Sequence, residues 1–162
     1  MTCPRCAETG GRAHSFETIG TLSDGKTAII YSRPSLGTEP EDAPDNIYYY
    51  TLHFASTQPN PWIWILDFRG SKVADFLKSG IGPHLRQAIQ ANQFNNLSGL
   101  FIVNPSWAFK AVLAFIKPLL KKETFAKIHL CSLGPIDIIH RIEHLGIGRP
   151  ELHVITRKIQ HI

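Results

Sequence analysis

Trp62-Ile63-Trp64-Ile65-Leu66-Asp67-Phe68 decides how this chain folds. Its opening five residues are apolar without alternation and leave no face for water. That is the condition of a parallel strand covered by helices on both sides, at the centre of an α/β sheet. Leu97-Ser98-Gly99-Leu100-Phe101-Ile102-Val103 has the same character. Lys26–Tyr31 is a shorter strand of β-branched and aromatic residues stopped by Arg33-Pro34, and Lys127–Cys131 reads as a fourth. Helical patterns fall between the strands. Gly70-Ser71 opens a helix with Val73, Ala74, Phe76 and Leu77 inward, broken by Gly80 and Gly82, and Pro83 starts another carrying Leu85, Ala88 and Ile89. Asn104-Pro105 is expected to cap and start a helix reaching about Ile116, with Pro118 near its end. Ile136–Leu145 is an amphipathic helix, and Leu152–Thr156 reads as an edge strand. An acidic, Pro-rich loop spans Thr38–Asp45. The spacing of Ile47, Tyr50, Thr51 and Phe54 beyond it is helical, although these aromatics also suit a strand. The alternation predicts an α/β fold, a mostly parallel sheet covered by helices on both faces.

The 162 residues fit one domain, and 43% apolar against 19% charged residues supply a core. Residues 1–24, rich in Gly, Thr and charge, read as a flexible tail leading into the turn Ser23-Asp24-Gly25, with the domain at 25–162. The longest apolar runs fall far short of the roughly 20 residues that cross a bilayer. Met1–Gly11 lacks the apolar stretch of a secretory signal, so a cytoplasmic location is expected. The net charge of +4 is uneven: residues 1–100 carry 8 Lys/Arg against 9 Asp/Glu, and residues 101–162 carry 9 against 4. A basic C-terminal half suits a phosphate-bearing surface as well as ordinary solvated helices.

No pattern of residues calls for catalysis. Three cysteines at cytoplasmic redox poise predict no disulfide. Cys3-Pro4-Arg5-Cys6 has the spacing of half a zinc site, but no second pair follows, and His14 and His53 are the nearest imidazoles. His140 and His144 are spaced i, i+4 without the Glu and third ligand of a zinc peptidase. His129, Cys131 and Arg141 lack the phosphatase spacing: Leu130 separates His from Cys, and Asp137 stands six residues after the Cys. Asp24 and Asp67 are accounted for by a turn and a strand end. No P-loop, dinucleotide glycine pattern or nucleophile elbow is present. We therefore expect no enzymatic activity, no metal, no cofactor and no nucleic-acid partner.

The segment 105–117 carries the functional signal. It contains Trp107, Phe109, Val112, Leu113, Phe115 and Ile116, and its only charges are Lys110 and Lys117, seven residues apart and so close to one line along the axis. The apolar circumference is wider than a core-facing stripe. Exposing three of its large side chains costs several kcal/mol, at about 1.5–3 kcal/mol each. Ordinary core, a bound lipid, a membrane surface or a partner protein each meets that demand.

Asn96-Leu97-Ser98-Gly99-Leu100-Phe101-Ile102-Val103-Asn104-Pro105-Ser106-Trp107-Ala108-Phe109, then Phe115-Ile116-Lys117-Pro118-Leu119-Leu120 and Glu123-Thr124-Phe125-Ala126-Lys127-Ile128, resembles the CRAL-TRIO lipid-binding domain family. Trp64–Gly70 is similar to an earlier strand of that family, which commonly ends in Asp and Gly. The resemblance runs from about Gly25 to Pro150. It implies a lipid-binding lobe whose hydrophobic pocket is closed by a mobile gate helix, here 105–117, lined by Trp107, Phe109, Val112, Leu113, Phe115 and Ile116. The ligand would be a phosphoinositide, another phospholipid, a tocopherol or a retinoid, taken up for transfer or sensing, with peripheral association with membranes. Thr124 and Lys127 match the T-x-x-K turn that holds the headgroup phosphate in phosphoinositide-binding members. Asn95 stands near the position of the Glu that reads the inositol ring in them. The small helical region preceding the lobe in many members is expected to be missing. Gly146-Ile147-Gly148-Arg149-Pro150 replaces a Gly-Gly and resembles the divergent branch found in Rho GTPase-activating proteins. That branch implies an alternative role, a scaffold module binding small GTPases or itself.

Overall fold

The computed structural model describes residues 16–33, 35, 60–70, 96–132 and 135–160. The described elements are β1 (Phe16–Thr21), β2 (Ala28–Ser32), β3 (Trp62–Asp67), β4 (Leu97–Val103), α1 (Trp107–Ile116), a 3₁₀ turn (Lys117–Leu119), α2 (Lys122–Ala126), β5 (Ile128–Cys131), α3 (Pro135–Glu143) and α4 (Arg149–Gln160). The expected loop at 38–45 and the expected helices at 46–54 and 83–89 lie outside the described residues, as does the helix expected from Gly70-Ser71 beyond Gly70 itself.

The strands form one sheet in the order β1-β2-β3-β4-β5. β2 to β5 run parallel, and β1 pairs antiparallel with β2. β3 sits in the middle, and its continuous apolar run divides between two faces. Ile63 and Ile65 join Ile29, Tyr31, Phe101, Val103 and Cys131 on one face, closed by Ile138 and Ile142 of α3 and Ile155 and Ile159 of α4. Trp62 and Trp64 join Ala28, Ile30 and Leu97 in a second cluster, and Phe68, Ile102 and Phe109 of α1 form a third, with Leu66 and Leu100 packed against both. Helices thus cover both faces among the described residues.

The register shifts between Trp62↔Leu97 and Ile63↔Gly99, leaving Ser98 as the extra residue of a bulge. Glycine suits position 99, since a Cβ there would sit 3.0 Å from the Phe101 ring. Gly146 ends α3 with φ +79°, and its carbonyl accepts from the Ser23 N–H at 2.8 Å, so the left-handed turn after α3 is bonded to the loop before β2.

Two expectations are corrected. Residues 16–21 are not tail but β1: Ile19 and Leu22 pack against the first cluster, and a Cβ on Gly20 would meet Glu151 of α4 at 2.8 Å. Residues 1–15 lie outside the described residues. Leu152–Thr156 is not an edge strand but the middle of α4. Leu152, Ile155 and Ile159 have helical spacing and cover one face of the five described strands.

Asp67 closes the C-terminal edge of the sheet. It is fully buried, and it accepts hydrogen bonds from Tyr31 Oη at 2.8 Å, Asn104 Nδ2 at 3.0 Å, the Arg69 N–H at 3.0 Å and Arg69 Nη2 at 2.9 Å. The Arg69 guanidinium also donates to the Lys158 and Ile159 carbonyls at 2.7 and 3.0 Å, capping the last turn of α4 with positive charge. Burial first, then the Asp67 carboxylate, holds the Tyr31 phenol well above its ordinary range near pH 10. The native state therefore keeps this proton where the unfolded chain releases it. The Tyr31 contribution is complete below about pH 10 and declines above it, by about 1.4 kcal/mol per pH unit. Denaturant melts between pH 9 and 11 should show Tyr31→Phe losing stability less steeply than the parent; parallel slopes would contradict the assignment.

Candidate functional site

The C-terminal end of β4 launches α1. Asn104 takes a left-handed conformation (φ 52°), and its side-chain amide is bonded to Asp67, so the exits of β4 and β3 are tied together. The helix cap is Ser106, not the expected Asn104: Ser106 Oγ accepts from the Phe109 N–H at 3.2 Å, and the helix begins at Trp107.

Each expected site residue has a definite place where its side chain is described. Phe109 is buried, its ring 4.0 Å from that of Phe68, and it packs with Ile102. Leu113, one turn on, packs half-buried against the same cluster. Trp107 points away and is 83% exposed. Lys110, Ala111 and Ala114 share its exposure, so much of the wide apolar circumference is alanine facing out. The Val112, Phe115 and Ile116 side chains lie outside the described residues. Thr124 and Lys127 come together at one turn: the Lys127 N–H donates to the Thr124 carbonyl at 3.2 Å, and the Lys127 carbonyl accepts from the Leu100 N–H at 2.8 Å, beginning the β4–β5 ladder. Both side chains are half-buried. Asn95 lies outside the described residues.

Two features were missed among the sequence expectations. One is the Tyr31–Asp67–Arg69–Asn104 network, which Asp67-Phe68-Arg69-Gly70 at a strand end hints at. The other is a cleft of about 380 Å³ at the foot of α1, lined by Lys117, Pro118, Leu120, Lys122 and Phe125, with Lys117 Nζ 4.8 Å from the Phe125 ring centre. Its trace in the sequence is the interleaving of Lys with apolar residues from 117 to 125.

The residues weighed for catalysis have structural surroundings. Asp24 Oδ1 accepts the N–H groups of Lys26 and Thr27, and its Oδ2 accepts the Thr27 hydroxyl at 2.6 Å; these Thr27 bonds hold its carboxyl below the usual range. Burial, then Asp137, pushes the Cys131 thiol up to about 11, so it is not a thiolate at neutral pH. His129 stacks on Phe101 at 4.9 Å, and burial lowers its pKa. No group of three or more metal-ligating side chains occurs among the described residues, and no helix there is long and apolar enough to cross a membrane.

A five-stranded, mostly parallel sheet with a helix laid over the exits of its central strands defines the class. The CRAL/TRIO domain model matches residues 45–140, more than half of the chain, and the protein belongs to that family. The matched span holds β3, β4, α1, α2 and β5. Among solved structures 38 chains match. One is the crystal structure of Sfh5, with a TM-score of 0.52 and 18% identity, covering 72% of this chain. This chain covers 46% of that one, less than half its length. A search of curated proteins returned no match.

Proposed function

We propose that the domain binds a hydrophobic ligand, a phospholipid in the first place, against the sheet face that α1 occupies, for transfer or sensing at membranes. Family membership supports lipid binding in general, and one observation carries the rest: among the described side chains of α1, Phe109 and Leu113 are the large ones seated on the sheet. Phe109 and Leu113 hold its inner face on Phe68, Ile102, Leu66 and Leu100. With the Phe109 and Phe68 rings in contact, lifting of α1 in the manner of a gate helix would open this face to a ligand. Lifting exposes Phe109 and Leu113 at a cost of about 3–6 kcal/mol, which roughly four to eight methylenes of an acyl chain offset at about 0.8 kcal/mol each. Thr124 and Lys127, at one turn beside the start of β5, offer a hydroxyl and an ammonium to a headgroup phosphate.

The purified protein should carry lipid, extractable into organic solvent and identified by mass spectrometry. Lys127→Ala should lower transfer of an anionic phospholipid between vesicles about tenfold or more, the value of one charge-assisted bond, without lowering the melting temperature. Protein free of lipid and inactive in transfer would remove the ligand reading. Unchanged transfer by Lys127→Ala would remove only the headgroup assignment.

A further inference from the structure

The exit of β3 puts three consecutive side chains to three different uses. Phe68 serves the α1 face of the sheet, where its ring lies 4.0 Å from that of Phe109. Arg69 serves α4, which covers the other face, and donates to the Lys158 and Ile159 carbonyls in its last turn. Asp67, fully buried, is bonded toward both helices: its Oδ2 accepts from Arg69 Nη2 and Tyr31 Oη, and its Oδ1 accepts from the Asn104 amide, two residues before the Ser106 cap of α1. Pairing of Asp67 with Val103 and a bond of 3.0 Å from the Phe68 N–H to the Val103 carbonyl keep the β3 and β4 exits side by side. The seat of α1 and the cap of α4 therefore meet in one short stretch, although the two helices lie on opposite faces of the sheet.

We propose that Asp67-Phe68-Arg69 couples the two faces, so that α1 leaving the sheet loosens the last turn of α4, with the Asn104–Asp67 bond as the latch. This rests on the reading of α1 as a helix that lifts. Asn104 suits the pivot: at φ 52° it stands in the left-handed region, which asparagine tolerates better than most residues, and its side chain is bonded to the sheet at Asp67. Lifting α1 about this point draws the amide off Asp67 and the Phe109 ring off Phe68. The buried carboxylate is left with Tyr31 Oη, the Arg69 N–H and Arg69 Nη2, and a buried charge short of donors pulls harder on those that remain. The Arg69 guanidinium is the donor among them that also serves α4. Drawn toward Asp67, it leaves the Lys158 and Ile159 carbonyls without their cap and without the positive charge that balances a helix C-terminus. The coupling is reciprocal, so an α4 whose end is held firmly keeps α1 seated. Loaded and empty protein then differ at the end of α4, on the face away from the ligand.

The test is hydrogen–deuterium exchange of the intact protein, read by mass spectrometry on peptides covering α1, β3 and the last turn of α4. Asn104→Gly keeps the left-handed conformation open and removes the amide. It should speed exchange in α1 about tenfold or more, the value of one hydrogen bond to a charged group. The last turn of α4 should exchange about fivefold faster or more, the low end of couplings between sites, while β3 stays protected. Phe109→Leu unseats α1 without touching the Asp67 bonds and should loosen the same turn of α4. If Asn104→Gly opens β3 as well, the fold is lost and Phe109→Leu decides alone. In Asp67→Asn/Asn104→Gly the carboxylate charge that pulls Arg69 is gone, and α4 should no longer respond to the change at position 104. A folded variant in which α1 exchanges faster while the end of α4 does not overturns the coupling. An α1 as protected in Asn104→Gly as in the parent overturns the latch. Phosphatidylcholine taken up from vesicles and extracted from the re-isolated parent separates this inference from the ligand reading. Uptake without a joint response of α1 and α4 removes the coupling and leaves the ligand reading standing; a joint response in protein that takes up no phosphatidylcholine supports the coupling while the ligand reading fails.

Discussion

Asp67→Ala is expected to cost about 3–5 kcal/mol, the penalty for removing one member of a buried, hydrogen-bonded charge network. The carboxylate is fully buried and accepts from four donors on β2, the β3 exit and the β4 exit. Without it the Tyr31 hydroxyl and the Asn104 amide lose their acceptor. Arg69 keeps its bonds to the α4 carbonyls but not its counter-charge. For a chain of this size the melting temperature should drop by about 10 °C. Asp67→Asn keeps the shape and one acceptor oxygen and should fall between the two. Denaturant unfolding followed by circular dichroism measures both. A loss below about 1 kcal/mol for Asp67→Ala would mean that the edge is held by apolar packing alone, within the range of ordinary surface changes.

The second large effect is expected on α1. Phe109→Glu places an unpaired charge where a ring now rests on Phe68 and Ile102, and should cost more than about 4 kcal/mol. Ala111→Glu, two residues away on the exposed side, should change stability by no more than about 0.5 kcal/mol. The contrast comes from the seating of the helix and not from composition, since both positions belong to the same apolar stretch. Equal melting temperatures for the two variants would show that α1 does not pack on the sheet through Phe109. A Glu at position 109 that folds normally but abolishes lipid retention would place this side chain in the ligand pocket of a helix standing off the sheet.

β3, β4 and α1 were legible in the chain because each is apolar beyond what one face requires, and only burial on two sides or against a sheet accounts for that. The family motif was legible for the same reason: it lies in contiguous segments. Thr124 and Lys127 share one turn, three residues apart, so local spacing alone brings them together. Other assignments depend on partners distant in the chain. Phe16–Thr21 has few apolar residues and no strong period, and it becomes a strand because β2 offers an unpaired edge and α4 a surface for Gly20 to approach. Leu152-His153-Val154-Ile155-Thr156 satisfies a period of two as well as a helical one. The helix wins because the free face of the sheet needs Ile155 and Ile159 over Ile63 and Ile65, whereas a further strand would leave that face open to water. The apolar girth of α1 told nothing about which side turns inward; contact with Phe68 settles that for Phe109 and leaves Trp107 in solvent. Sequence by itself determined the parallel sheet, its central strands and the family, since those follow from local burial demand and contiguous motif. The tertiary structure decided the antiparallel edge, the C-terminal helix, the Asp67 network and the two unlike sides of α1, because each is settled by a contact between residues far apart in the chain.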